Sequence, residues 1–598
     1  MKAGFISLGC SKNLVDTEVM LGLIKEKNIE IVNEPSEADI LIVNTCAFIQ
    51  SAKEESINTI LRMAEYKQQD KGHCKALIIA GCLGQRYGQE LLDELPEADG
   101  IIGTEAWNRI GEVLDETLQG NRVVVRGEGE IIYDASVPRI PTTPKHTAYI
   151  KIAEGCNNRC AFCAIPLIRG SYRSRTVEDI LQEAGRLADQ GVKEIVLIAQ
   201  DTTNYGHDIY GKPQLARLLR ELCRIDGIKW IRTLYCYPRF FNDELIDVMA
   251  AEEKVVKYVD IPLQHANNQV LRNMRRPDTK EQIVELLQKL RDRIPGVVIR
   301  STFIVGFPGE TDEQFEELKE FITAQRFDHV GIFTYSQEED TPAALMDNQV
   351  PEDVMQDRYH SLKAIQSLIS QEINESLEGK VLDVIVEGHT DEGMPFGRSY
   401  RQADDVDDQI YIEGDLHSQV GDMVKVRILQ GFTEDLVGEL AEDIPLEELV
   451  GRGLMDASLT IACAESCTGG LLTSRLTDVS GSSDYVVGSV IAYSNKVKKA
   501  QLGVQEATLQ RDGAVSSETA LEMAGGVCTH LGADIGVGIT GIAGPGGGSV
   551  EKPVGLVYIS VAGSKGNQVT KNVFSGSRQE IKKQAVDKAL TMLLDYLK

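Results

Sequence analysis

Three cysteines in one short stretch, Cys156, Cys160 and Cys163 in EGCNNRCAFCAIPLIRGSYRSR, are the residues whose type and spacing speak most directly of chemistry. Thiolates hold iron–sulfur clusters; four of them close a four-iron cluster, whereas three leave one iron free to take a small molecule. The same triad could hold a structural zinc with a distant fourth ligand, or simply pack, but zinc knuckles bring two close pairs and no second pair lies nearby. A second trio, Cys10, Cys46 and Cys82, recurs at intervals of 36 residues, each where an apolar run ends: FISLGC, ILIVNTC and ALIIAGC. Val/Ile/Leu runs separated by helical stretches indicate a parallel sheet buried on both faces, and the carboxyl ends of such strands line the ligand crevice. Cysteine is also a common buried residue, but three at equivalent strand ends converge as ligands. Near the other end of the chain, TGIAGPGGG exposes backbone N–H groups that can wrap an anion, although a glycine-rich loop alone is often only a turn.

The elements that must position these groups follow from the pattern. The first segment, residues 1–135, reads as a parallel α/β domain. The stretch SVPRIPTTPKHT reads as a linker. Across residues 148–370, EIVLIAQD, IKWIRTLYCYP, VKYVDIPLQH, VVIRSTFIVGFPGE and HVGIFTYS alternate with amphipathic helices, which predicts a complete or partial α/β barrel of TIM-like type. Its strand ends offer Gln200, Asp201, Gln264, His265, Gly306 and Glu310 as ligand contacts; four of these, Gln200, Asp201, Gly306 and Glu310, are the candidates for cofactor binding. Residues 377–440 switch to short alternating strands with Gly/Asp turns, a small antiparallel β-barrel. A further α/β domain occupies residues 456–598, with LTIACAES, VVGSVIAYSN, DIGVGITGIAG and PVGLVYISVAG as strands and a closing helix. The fold class is therefore multidomain α/β.

The 598 residues exceed any single core, at roughly 150 residues per domain. No apolar run reaches the ~18 residues of a membrane span, and the amino terminus has no secretory pattern, so the chain is expected in the cytoplasm without a membrane partner. Its twelve cysteines then act as ligands, nucleophiles or small apolar groups. A net charge of −29 argues against a broad nucleic-acid footprint. Between Gln371 and Leu440, seventeen acidic residues face five basic ones, densest in the run Asp404 to Asp408, a balance that suits a basic polypeptide better than RNA.

Taken together, the two trios, the barrel and the small β domain resemble the methylthiotransferases of the radical S-adenosylmethionine superfamily, with a TRAM-like module last. SLGCSKNLVDTE, AQDTTNYGHD, DIPLQH, NMRRP and FIVGFPGET narrow the resemblance to the ribosomal-protein branch. The resemblance implies that Cys156, Cys160 and Cys163 hold a 4Fe-4S cluster whose open iron chelates S-adenosylmethionine, and that Cys10, Cys46 and Cys82 hold an auxiliary 4Fe-4S cluster. It further implies methylthio transfer to the β-carbon of an aspartate in a small-subunit ribosomal protein, with a flavodoxin or ferredoxin-like electron donor. The related enzyme acting on an adenosine of transfer RNA is the alternative, and the acidic module separates the two.

AESCTGG, GSSDYVVGSVIAYSNKVKKAQLGV, TGIAGPGGG and KPVGLVY resemble the carboxy-terminal domain of the CinA family, nicotinamide-nucleotide amidohydrolases. By that resemblance Ser483 is the nucleophile, Lys498 the base that activates it and Tyr493 an assistant, while Ser466, Thr540 and Arg578 bind nicotinamide mononucleotide. A non-catalytic oligomerisation or ligand-binding module is the alternative for this domain.

Overall fold

The structure is a computed structural model that describes residues 1–68, 70–127, 132–404, 406–414, 419–441 and 445–597. Asp405, within the acidic run, lies outside the described residues, as do small parts of the first and third segments, the stretch 442–444 and Lys598. The chain divides into two compact units, Met1–Leu440 and Ala441–Lys598. Among the described residues no helix is long and apolar enough to cross a membrane.

The first unit opens with a six-stranded, all-parallel sheet in the order Glu30–Val32, Lys2–Ser7, Ile40–Thr45, Ala76–Gly81, Gly100–Gly103, Val123–Val125. Every residue of Ile40–Thr45 and Ala76–Gly81 is buried, as unbroken apolar runs require when helices cover both faces. The strands that carry the three cysteines are neighbours, and Thr45 pairs with Gly81, so Cys46 and Cys82 leave the sheet side by side.

The barrel is open. Thr147–Lys151, Glu194–Ile198 and Trp230–Thr233 form one parallel sheet and Tyr258–Asp260, Val298–Val305 and His329–Thr334 another, linked by the bridge between Ile231 and Val255. The partial form of the expected barrel is the one observed.

The third element is a closed five-stranded barrel, Val381–His389, Pro395–Ser399, Ile410–Glu413, Leu436–Leu440, Met423–Gly431. Four of its pairings are antiparallel, and the closing pair of Ile410–Glu413 with Leu436–Leu440 is parallel. This barrel sits under the amino-terminal ends of the larger one. Glu194, at the start of its strand, pairs with Arg232 at 2.9 Å and with Arg398 of the small barrel at 2.5 Å. Tyr258 donates to Asp407 at 2.5 Å, and Arg401 pairs with Asp328 at 2.6 Å.

The second unit is a five-stranded sheet in the order Val486–Ile491, Ile461–Glu465, Ile535–Gly541, Leu556–Ala562, Gln568–Val573, parallel across the first three strands and antiparallel beyond. Alternation along Ile461–Glu465 builds both faces: Ile461 and Cys463 pack with the closing helix Arg578–Leu597, and Ala462 and Ala464 with the helix Ser517–Leu531.

Candidate functional sites

At the carboxyl edge of the amino-terminal sheet, Cys10 caps the helix Ser11–Glu26, Cys46 follows Thr45, and Cys82 opens the helix Cys82–Tyr87. Gly9, at φ +86, lets the first loop approach the second; a Cβ there would lie 2.9 Å from Cys46 Cβ and 3.2 Å from Cys46 Sγ. Asn13 laces the loops together, its Nδ2 donating to Leu8 O at 2.8 Å and Thr45 O at 3.0 Å. Burial raises the Cys82 thiol to about 12, with Arg169 opposing and Cys46 and Cys10 adding to the rise. At Cys10 the cost of desolvation is outweighed by Lys12 and Arg169, and the thiol is lowered. The three sulfurs therefore share one electrostatic environment, and their soft donor set fits an iron–sulfur cluster. Among the described residues no three His, Cys, Asp or Glu donors surround one point closely enough for a single metal ion. A four-iron cluster spreads its thiolates over separate irons and needs a wider triangle.

The second trio sits on the loop after Ala153–Glu154. Burial pushes the Cys163 thiol up, and Cys160 and Cys156 push it further; Cys156 rises to about 11, chiefly through burial. Iron must displace these protons, so loading is expected to be pH-dependent. Asp201, which burial raises, braces the loop by accepting from Asn158 Nδ2 at 2.9 Å and Thr203 Oγ1 at 2.8 Å. Gln200 donates to Glu154 at 2.9 Å and leaves its buried Oε1 unpartnered. Gly306 and Glu310, the other two expected cofactor contacts, follow the strand Val298–Val305 on one turn. The Glu310 Oε2 accepts from the backbone N–H groups of Gly306 and Phe307 at 2.5 and 3.1 Å, and its buried Oε1 has no hydrogen-bond partner among the described residues.

Between the trios lies a buried ion network to which the sequence reading gave no role. Arg169 reaches Asp16 at 2.8 Å, Glu154 at 3.1 Å, Asn13 Oδ1 at 2.9 Å and Cys82 Sγ at 3.7 Å. Lys151 also joins Asp16 and Glu154. The signal was present in two places: Arg169 ends IPLIRG beside the cysteine motif, and Asn13 follows Cys10 in GCSKN.

In the second unit, Ser466 stands directly after Ile461–Glu465, and its N–H donates to Ile539 O at 2.9 Å. The Glu465 carboxylate pins the following turn by accepting from Gly470, Leu472 and Thr473 N–H groups. Lys498, 1% exposed, comes from the helix Asn495–Leu502; its Nζ contacts Ser466 Oγ at 2.9 Å and donates to Ala492 O at 2.6 Å. Burial lowers this amine to about 8, with Cys467 slightly opposing. Both residues line a cavity of about 250 Å³ together with Tyr493, Thr540, Gly544 and Arg578. Arg578 donates to Gly544 O at 2.7 Å and to Tyr493 Oη at 3.2 Å, and Thr540 donates to Ala514 O at 2.6 Å. Ser483 does not belong to this group. It is exposed on the short turn Ser482–Asp484, outside the cavity lining, so the serine paired with Lys498 is Ser466. A hydroxyl without a base within hydrogen-bond reach is not activated.

Family models match at residues 2–103 (Uncharacterized protein family UPF0004), 150–322 (Radical SAM superfamily), 379–441 (TRAM domain) and 443–597 (CinA C-terminal domain). The ribosomal protein uS12 methylthiotransferase RimO of Desulforamulus reducens is 52% identical over 73% of this chain and 99% of its own length. That of Heliobacterium modesticaldum is 49% identical over 74% and 96%. Among solved structures, competence/damage inducible protein CihA of Agrobacterium tumefaciens is 42% identical over 26% of this chain and 96% of its own, with a TM-score of 0.25. The chain thus belongs to the RimO family of ribosomal protein uS12 methylthiotransferases and carries a CinA C-terminal domain behind it.

Proposed function

We propose that residues 1–440 attach a methylthio group to the β-carbon of an aspartate of uS12, with segments 1–135, 148–370 and 377–440 as working domains. The observation that carries this is the buried network that runs from Cys82 through Arg169 to Glu154, two residues before Cys156, in a chain whose first three quarters are about half identical to uS12 methylthiotransferases. The family's cofactors are S-adenosylmethionine and 4Fe-4S clusters, with Cys156, Cys160 and Cys163 holding one cluster and Cys10, Cys46 and Cys82 the other. When bound, they supply a radical able to take an unactivated C–H hydrogen, together with the sulfur and methyl to be delivered. The chain's own residues position these groups. Arg169 holds the two cysteine regions in one frame, and Asp201 fixes the loop around Cys156. The acidic module suits a basic ribosomal protein in the cytoplasm, and an electron donor of flavodoxin or ferredoxin type completes the reaction. Transfer RNA is not favoured, because the relatives named above act on uS12. Anaerobic reconstitution should load about eight irons per chain, and incubation with S-adenosylmethionine, reductant and uS12 should add one methylthio mass to uS12. A mass gain on transfer RNA alone would overturn the proposal.

Residues 456–598 are proposed as a nicotinamide-mononucleotide amidohydrolase, carried by the Ser466–Lys498 contact of 2.9 Å. The neutral Lys498 amine takes the Ser466 proton while its N–H holds to Ala492 O, the Ser466 oxygen attacks the carboxamide carbon, and the proton passes to the departing ammonia. Water then releases nicotinate mononucleotide. Arg578 and the glycine-rich loop offer a seat for the phosphate. Ser466→Ala should reduce ammonia release on the order of 10³-fold or more and leave uS12 modification intact; unchanged ammonia release would refute the assignment.

A further inference from the structure

A buried ammonium without an acceptor is costly, so side chains of this kind are almost always paired. The first unit follows that rule at nearly every buried cation: Lys53 has Glu338, Lys151 has Asp16 and Glu154, Arg232 has Glu194, and Arg276 has Pro262 O. Lys12 breaks it. Its side chain is packed, only 6% exposed, with no ion pair or hydrogen-bond acceptor among the described residues, while Nζ itself is not fully enclosed and keeps access to solvent. Its Nζ lies over the ring of Tyr235, 3.0 Å from the centroid.

Lys12 also stands in a particular place. It lies in the first turn of the helix that Cys10 caps, and its charge is felt at the Cys10 thiol. Tyr235 belongs to the carboxyl end of the barrel strand Trp230–Thr233 and is held in a left-handed conformation, φ 61. Its N–H donates to Asp260 at 2.7 Å and its carbonyl accepts from Thr202, the residue after Asp201. The ammonium therefore bridges the auxiliary cysteines and the mouth of the barrel. A ring face holds a cation more weakly than a carboxylate does, so Lys12 is kept in place and remains available.

We infer that Lys12 is the residue that takes the carboxylate of the substrate aspartate. The inference rests on the uS12 reading above and names how that substrate is recognised. The β-carbon to be modified is bonded to the carboxylate carbon, so an ion pair there fixes the reacting C–H relative to both cysteine sites. It also separates aspartate from asparagine, which has the same shape and no charge.

The test uses the full chain reconstituted with iron and sulfide, and two probes: uS12, and uS12 with asparagine at the target position. The unsubstituted enzyme should bind the aspartate form about 10- to 100-fold more tightly, as a charge-assisted pair implies. Lys12→Met should bind both forms alike, and Lys12→Arg should keep most of the preference. Should Lys12→Met load fewer irons, Lys12→Gln carries the same comparison. A substituted enzyme that keeps the original preference overturns the inference. So does a shift in the auxiliary cluster's midpoint potential with the preference unchanged, which would make Lys12 the counter-ion of that cluster. If the unsubstituted enzyme leaves uS12 unmodified, the uS12 reading itself fails, a result distinct from any change in the preference.

Discussion

At the scale of single residues, the proposed deamidase would be governed by Lys498. Only its neutral form can accept the Ser466 proton, and burial has brought the amine down to about 8. Deamidation should therefore rise with pH, reach half its plateau near 8, and fall about tenfold for each unit below. A rate profile from pH 6 to 10 checks this; a flat profile would remove Lys498 as the base. Ser483→Ala, on its exposed turn, should leave the rate within about twofold, the usual range for a surface change away from the site. The rule that identifies Ser466 was already available in the sequence, since it ends an apolar strand just as Cys46 and Cys82 do. Tyr493, Lys498, Thr540 and Arg578 were found from motifs, and the cavity brings them together with Ser466. Lys12, Asn13 and Arg169 stayed silent because their meaning lies in contacts between residues far apart in the chain, 156 positions for Arg169 and Asn13 and 223 for Lys12 and Tyr235.

At the scale of elements, the small barrel's attachment depends on one buried carboxylate. Burial alone would raise Glu194, but Arg398 and Arg232 outweigh it and hold the group down to about 2. The sign follows: a depressed carboxylate adds stability above its unfolded value of about 4.3 and loses it as pH falls toward 2. The floor of the large barrel should thus stay closed at mildly acidic pH. Glu194→Ala removes the shared partner of two buried guanidiniums and should cost about 3–5 kcal/mol, seen as a lower denaturant midpoint for the first unit. A change below about 0.5 kcal/mol would mean that the pairing is worth little. The long apolar strands were legible from their runs. The strand Gln568–Val573 was not, since its residues are mostly exposed and polar, and neither were the three-residue strands Glu30–Val32 and Val123–Val125. The parallel seam of the small barrel is a matter of closure, which alternation along one strand cannot reveal.

At the scale of the whole molecule, charge and core are both divided between the units. Residues 441–598 carry seventeen acidic and fourteen basic side chains, against 74 and 48 in residues 1–440, so nearly all the net charge of −29 belongs to the unit proposed to meet a basic protein. The nearly neutral unit is the one proposed to hold an anionic nucleotide. Each unit also closes its own core: Val450 through Tyr596 form clusters separate from those built around the two larger sheets. Metal binding stabilises only the fold that provides the ligands, and all six cysteines proposed to hold the clusters lie before residue 164. Heating the reconstituted chain should therefore give two transitions, one followed by loss of iron–sulfur absorbance and one by loss of ammonia release. Stripping the iron should lower the first midpoint by several degrees and leave the second within about one degree, because a ligand shifts only the equilibrium it joins. If both midpoints fell together, the units would unfold as one, and the fusion would couple the two chemistries through stability.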